Sequence, residues 1–383
     1  MIPYGKQDIN QDDIDAVLSV LKSDWLTQGP KVPEFESAIS TICGAHYCVA
    51  LNSATSALHI ACLALGVGPG DTVWTSPISF VASANCALYC GADVNFVDVE
   101  TETGNMSVND LKNRLAIAKA NNTLPKVVIP VHLAGQSCDM QAIHKLGTEY
   151  GFAIIEDASH AIGAQYQSQY VGNCQYSDFT VFSFHPVKIV TSAEGGALTT
   201  NSATLAEKAT LLRSHGITNK AEQLKHESHG PWYYEQHQLG YNYRMTDLQA
   251  ALGTSQLQRV HDFVSQRNKL AKRYTEKLPD TCSHLLQSGQ CYSAYHLYVI
   301  LLDKQSSNKQ RAVIETLRSN HIIGHLHYIP IHLQPYYQDR GFRQGDFPRA
   351  EEYYARAVTL PLHPNLTFDE QDQVLSVLSG ALA

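Results

Sequence analysis

Three segments carry side chains that could do chemistry together. In IIEDASHA, residues 154–161, Glu156 and Asp157 close an apolar run that reads as a strand. Asp157 then projects from the carboxyl end of a parallel strand, the edge at which open α/β sheets bind ligands. A lone aspartate serves equally well there as the cap of the next helix. In VFSFHPVKIVTSAEGGAL, residues 181–198, an apolar strand ends at Ser183, Pro186 interrupts it, and Lys188 follows among Val187, Ile189 and Val190. An ammonium in an apolar setting loses hydration, its pKa falls, and its lone pair is freed for a Schiff base. Most lysines are simply solvated. In ALNSATSALHIA, residues 50–61, a strand runs into small residues and then a helix. Ser53, Ala54 and Thr55 thereby offer N–H groups and hydroxyls at a helix N-terminus, which favours a phosphate dianion. An ordinary N-cap gives the same pattern.

Each segment alone carries little, but together they form one device. A phosphate cradle, a carboxylate and a Schiff-base lysine are what pyridoxal 5'-phosphate requires. The carboxylate keeps the pyridine nitrogen protonated, and the lysine holds the aldehyde and moves the proton. The G-x-G-P-G run at 66–70 follows a helix, so it is not a dinucleotide fingerprint, which follows a strand.

The elements that must position these residues alternate. Residues 7–22 read as an amphipathic helix, SDWLTQGPKVP as a loop, and EFESAISTIC as a helix ending at Gly44. Strand-like runs follow at YCVALNS, TVWTSPISF, VNFVDV, KVVIPVHL, FAIIEDA and FTVFSF, with helices between several of them. Such alternation predicts an α/β fold with a mostly parallel central sheet flanked by helices. From residue 246 the pattern changes to long helices, expected to bend near Gly253-Thr254, then to shorter strands and helices. The expected organisation is a large cofactor-binding domain over 1–245 and a small α+β domain over 246–383.

Composition narrows the function further. The 383 residues carry 28 Lys plus Arg against 36 Asp plus Glu, a formal net charge of -8, without a basic stripe for nucleic acid. The N-terminus lacks the basic and apolar regions of a signal peptide, and no apolar run is long enough to span a membrane. The nine cysteines include no C-x-x-C pair and read as reduced core thiols of a cytoplasmic protein. No H-E-x-x-H accompanies the histidines, so no metal is expected.

The order of NSATSAL, TSPISFVASAN, EDASHA, SFHPVK-x6-GG, RSHG and GYNYRMTD resembles the DegT/StrS family of sugar-nucleotide aminotransferases. The likeness runs from Tyr4 to the LPLHPNL segment. It implies the aspartate aminotransferase (type I) fold and a homodimer with both active sites at the interface. By position, Lys188 resembles the cofactor lysine and Asp157 the partner of the pyridine nitrogen. Ala54, Thr55 and Ser183 match phosphate-binding positions, Phe80 a ring-stacking aromatic, and Asn242 a residue donated by the second subunit. His160 stands where many relatives have glutamine. A sister branch has histidine instead of the lysine and performs dehydration, so Lys188 implies transamination. Segments such as WLTQGP and FSFHPVK resemble the branch that aminates C4 of a UDP-linked 4-keto-6-deoxy-N-acetylhexosamine with L-glutamate, on the route to pseudaminic acid. The resemblance places Tyr4, Trp25, Leu26, Thr27 and His185 at the sugar nucleotide. HLHYIPIH would add His325, His327 and Tyr328, or else be a polar strand and loop at the domain interface. Bacillosamine-, aminoarabinose- or perosamine-type sugars are the alternative substrates.

Overall fold

The computed structural model describes residues 1–304 and 309–382. Its principal sheet is built from β1 (Tyr47–Leu51), β2 (Thr72–Thr75), β3 (Asp93–Phe96), β4 (Val127–Ile129) and β5 (Ala153–Asp157). A short hairpin, β6 (Gln165–Tyr166) and β7 (Gln169–Tyr170), precedes β8 (Phe179–Ser183) and β9 (Gly196–Thr200), which complete that sheet. The strand order is β1-β9-β8-β5-β4-β2-β3. The pairs β2–β3, β2–β4, β4–β5 and β5–β8 are parallel, whereas β9 is antiparallel to both β8 and β1. Only β9 therefore runs against the rest, and the expected mostly parallel sheet is observed.

Helices pack around this sheet: α1 (Gln11–Leu21), α2 (Lys31–Cys43), α3 (Ala54–Ala64), α4 (Ala82–Tyr89), α5 (Val108–Asn121), α6 (Met140–Tyr150), α7 (Ala203–Arg213) and α8 (Asp247–Leu257). Local chemistry sets their ends. The Asn10 side chain accepts from Asp13 N–H while Asp13 accepts from Asn10 N–H, so α1 starts at residue 11 rather than 7. Gly44 ends α2 at φ 76°, as expected. The loop expected through Pro33 stops earlier, because Pro33 fits the first turn of α2. The strand expected over TVWTSPISF covers only its first four residues, since Ser76–Phe80 turn away at Pro77.

The expected bend at Gly253-Thr254 is absent. α8 continues to Leu257, and the break falls at Gln258-Arg259 before α9 (Val260–Lys277). Gly253 instead permits close packing, because a Cβ there would lie 2.6 Å from the Phe35 ring.

Two short pairs, β10 (Ile217–Thr218) with β11 (Glu235–Gln236) and β13 (Cys291–Tyr292) with β6, decorate the fold. A second, antiparallel sheet is made by β12 (Cys282–His284), β14 (Tyr298–Leu302) and β15 (Ala357–Leu360) in the order β12-β14-β15. α10 (Gln310–Ser319), α11 (Pro335–Gln338), α12 (Pro348–Arg356) and α13 (Phe368–Leu382) complete the chain. A separate core joins this sheet to α9, α10 and α13 through Leu270, Tyr274, Ile300, Leu317, Val358 and Leu378. Ile2 packs into it and Leu362 N–H donates to Tyr4 O, so the first residues of the chain are held against this region.

Candidate active site

The carboxyl edge of the large sheet opens into a cavity of about 480 Å³, a size suited to a cofactor. Each wall follows from a strand end. β1 runs through Ser53 into α3, whose first helical residues are Ala54 and Thr55. Ser53 Oγ accepts from Ser56 N–H at 3.1 Å, which caps the helix. Among the described residues, the N–H groups of Ala54 and Thr55 have no acceptor, and both residues line the cavity. Gly196 passes directly beneath: a Cβ there would stand 2.3 Å from the Ser53 carbonyl carbon. The cradle floor is thus another stretch of backbone, which only glycine allows.

β5 ends at Asp157, which is 5% exposed. Its Oδ2 accepts from Ser83 Oγ at 2.6 Å and its Oδ1 from Ser159 N–H at 3.1 Å. Ser83 sits on α4 and also pairs with Ser79 Oγ at 2.7 Å. The carboxylate is therefore fixed from two sides.

β8 ends at Ser183, and the chain then turns through His185 and Pro186 to Lys188. Burial drives the Lys188 ammonium down to about 8, although the Asp157 charge opposes this. Part of the amine is then free at neutral pH. His160 is pushed well below the usual imidazole range by burial, then by the charges of Lys188 and His327. His160 Nδ1 accepts from Ala134 N–H at 3.3 Å, which places the ring proton on Nε2, 3.1 Å from Tyr328 Oη. Tyr328 thus accepts from the imidazole and keeps its own O–H to offer. Burial lowers His327 to about 3, with His325 and Lys188 adding to the effect. His325 and His327 stack at 4.7 Å and both meet the Tyr4 ring at 5.2 Å.

Ala54, Thr55, Asp157, His160, Ser183 and Lys188 all line this one cavity, as do Tyr4, His185, His325, His327 and Tyr328. Phe80 stands at the rim, 61% exposed. Four expected residues lie outside it. Trp25 and Leu26 are exposed, and Thr27 bridges to Thr246. Asn242 is exposed and bridges to Ser214, one residue before Tyr243 O accepts from Asn52 N–H. Several lining residues escaped the sequence reading, among them Leu58, Ser79, Val131 and Ser159. Ser79 and Ser83 stand four apart inside TSPISFVASAN, a spacing that could have marked them as a pair. His296, whose ring lies 4.4 Å from that of His160, arrives from a distant segment and left no local signal.

A model of the DegT/DnrJ/EryC1/StrS aminotransferase family matches residues 7–379. The chain belongs to that family. SpsC, a spore coat polysaccharide biosynthesis protein of Bacillus subtilis, is 38% identical over 98% of this chain and 96% of its own. A UDP-4-amino-4,6-dideoxy-N-acetyl-beta-L-altrosamine transaminase of Campylobacter jejuni is 36% identical, covering 100% of this chain and 98% of its own. Among solved structures, Helicobacter pylori PseC, an aminotransferase involved in pseudoaminic acid biosynthesis, superposes with a TM-score of 0.90 at 31% identity, covering 100% of this chain and 99% of its own. The PLP-form of the putative sugar aminotransferase Spr1654 from Streptococcus pneumoniae gives 0.89 at 29% identity, over the whole of both chains. This DegT/DnrJ/EryC1/StrS member is an aminotransferase with the type I fold, and its cofactor is pyridoxal phosphate. The free N–H groups over the glycine floor suit the phosphate, and the clamped Asp157 suits a protonated pyridine nitrogen. Among the described residues, no helix is long and apolar enough to cross a membrane.

Proposed function

We propose that this enzyme transfers an amino group from L-glutamate to the C4 keto carbon of a UDP-linked 4-keto-6-deoxy-N-acetylhexosamine. The product is UDP-4-amino-4,6-dideoxy-N-acetyl-beta-L-altrosamine, a precursor for pseudaminic acid. One observation carries the reading: Lys188, Asp157 and the Ala54–Thr55 cradle line a single cavity, and full-length relatives are transaminases acting on such sugars. When bound, the cofactor supplies a ring that accepts electrons from a carbon losing its proton.

The chain's own groups do the rest. Lys188 Nζ removes the proton from Cα of glutamate and later delivers one to C4 of the sugar, serving as base and then acid. Asp157, fixed by Ser83 and Ser159, would hold its charge against the pyridine nitrogen of the cofactor. Tyr328, His325 and Tyr4 face the cavity from the other side and are the candidates for sugar hydroxyls. Asn242 and the Trp25–Thr27 stretch point outward, which suits a homodimer in which each subunit completes the other's site. Nine free cysteines suit a reducing cytoplasm.

A second reading keeps the same chemistry on another 4-keto nucleotide sugar of the bacillosamine, aminoarabinose or perosamine type, since a 38% identical relative is named for spore coat polysaccharide biosynthesis and not for the altrosamine product. Incubation with glutamate and each of several stereoisomeric UDP- and dTDP-4-keto sugars, with products defined by NMR, separates the two. Preference for the L-altrosamine precursor supports the first reading. Turnover of another sugar alone supports the second, and turnover of none with an intact cofactor spectrum overturns both.

A further inference from the structure

One hydroxyl of the cofactor cavity has a donor on one side and no acceptor on the other. Tyr328 lines the cavity, and its Oη lies 3.1 Å from His160 Nε2. Ala134 N–H donates to His160 Nδ1 at 3.3 Å, so the neutral ring carries its proton on Nε2 and gives that hydrogen bond to Tyr328. Burial keeps His160 neutral, with the charges of Lys188 and His327 adding to it, and burial likewise keeps the Tyr328 hydroxyl protonated. Among the described residues, the Tyr328 hydroxyl proton meets no acceptor. A shielded O–H aimed at nothing is costly, and the open side of this one is the cavity.

The pair is held from behind. Ala134 stands at φ 59°, a left-handed conformation that alanine adopts at a cost, and from there its N–H reaches His160. Tyr353 Oη donates to His327 O at 2.8 Å, immediately before Tyr328, and His327 Nδ1 pairs with Thr359 Oγ1 at 2.9 Å. The His160 and Tyr328 ring planes are inclined by only 21°, as a bond in the plane of both rings requires. A phenol O–H lies in the plane of its ring, where it has two positions. The His160 N–H fills one of them, so the hydroxyl proton takes the other. Tyr328 thus offers the cavity a donor of fixed direction.

We propose that Tyr328 donates its hydroxyl hydrogen bond to the C4 keto oxygen of the bound sugar, with His160 as the positioning residue that fixes the direction of that bond. The proposal rests on the 4-keto sugar reading given above. It narrows the part of Tyr328 from sugar hydroxyls in general to the one oxygen that the reaction removes. A ketone oxygen is an acceptor only, and it matches a fixed donor. The amine that replaces it is protonated at neutral pH, is a donor only, and meets the same hydroxyl proton head on. The pair therefore favours substrate over product at the position where the two differ, partly by attraction and partly by repulsion. The proton stays on Tyr328 throughout, in keeping with a hydroxyl that burial holds far above its ordinary pKa.

Two unreactive complexes of the holoenzyme separate binding from turnover. One is the UDP-linked 4-keto-6-deoxy-N-acetylhexosamine with the aldehyde form of the cofactor, and the other is its 4-amino product with the amine form. Calorimetry gives both affinities, and cofactor absorbance and Tm show that each variant is folded and loaded. In Tyr328→Phe the keto sugar is expected to bind on the order of tenfold more weakly, with the amino sugar within about twofold of its starting affinity or tighter. His160→Leu frees the hydroxyl to turn and should lose the same preference, whereas His160→Gln keeps an N–H at this place and should restore most of it. An unaltered keto affinity in Tyr328→Phe, or equal weakening of both ligands, would overturn the proposal. A His160→Gln variant as poor as His160→Leu would remove His160 from it. If the unsubstituted holoenzyme binds no 4-keto sugar, the substrate reading falls and takes this proposal with it, whereas tight binding that ignores Tyr328 sinks the proposal alone.

Discussion

The two carboxylates that close β5 face opposite sides of the sheet. Glu156 is buried among His132 Nε2 at 2.8 Å, Thr180 Oγ1 at 3.0 Å and Ser177 Oγ, so protein groups occupy it from every side. Burial works against its charge, yet the bond from His132, with Ser177 and Thr180 helping, holds its carboxyl below the ordinary range. Among the described residues, the Asp157 carboxylate receives Ser83 and Ser159 alone and opens on the cavity. Strand alternation alone sorts them, because adjacent residues of a strand address different faces. The same chemistry is structural on one side and left available for a ligand on the other.

The largest break in this comparison comes on the cavity side. Lys188→Ala should abolish turnover, a loss of at least about a thousandfold, because the proton-moving amine is gone. Steady-state transamination checks it, and retained activity would sink the proposed mechanism. Asp157→Asn keeps the shape but removes the charge, and kcat should fall by on the order of a hundredfold or more without loss of Tm. Glu156→Gln should do the opposite. It should cost about 2–3 kcal/mol of stability in denaturant melts and leave KM for the sugar nearly unchanged. Comparable losses of kcat in both variants would erase the distinction between the faces.

Acidity sharpens the contrast. Because the folded Glu156 carboxyl is depressed, its contribution to stability is present above the ordinary carboxylate pKa and is lost as pH falls through the folded value. Lys188 responds at the other end of the scale. In the cofactor-free protein its amine titrates near 8, so the rate of cofactor capture, followed by absorbance, should rise with pH and reach half its maximum there. A half-maximum near 10.5, as for a solvated lysine, would contradict the buried setting. The smallest expected effect is that of Ser83→Ala, which frees one bond to Asp157 and should weaken cofactor binding by about 1–2 kcal/mol, read from cofactor titrations.

Much of this site was legible because it is built from strand ends, and an apolar run that ends in a polar residue announces itself. Asp157, Ser183 and the Ser53–Thr55 turn follow from that rule, and Lys188 from the turn after Ser183. What stayed hidden depends on packing between distant segments. His296 reaches His160 across more than a hundred residues, and nothing near it in the chain signals this. Gly253 reads as a helix breaker but serves as a gap for the Phe35 ring, since tertiary contact overrides propensity. The short β2 was overread because Pro77 turns the chain while the apolar pattern continues through Ile78.

The reversal of β9 has a kinetic consequence for the segment that bears Lys188. Ser183 pairs with Gly196 across the β8–β9 ladder, Phe184 N–H donates to Gly195 O at 2.9 Å, and Ser192 N–H donates to Phe184 O at 2.9 Å. The loop is therefore pinned at its neck, and its closure entropy belongs to the sheet rather than to the loop. Movement of the lysine headgroup needs only side-chain torsions, on a timescale of picoseconds to nanoseconds, while the backbone beneath it opens only when the ladder does. Amide hydrogen exchange at Phe184 should accordingly be as slow as in the centre of the sheet, even with the amine above it swinging at every turnover as proposed.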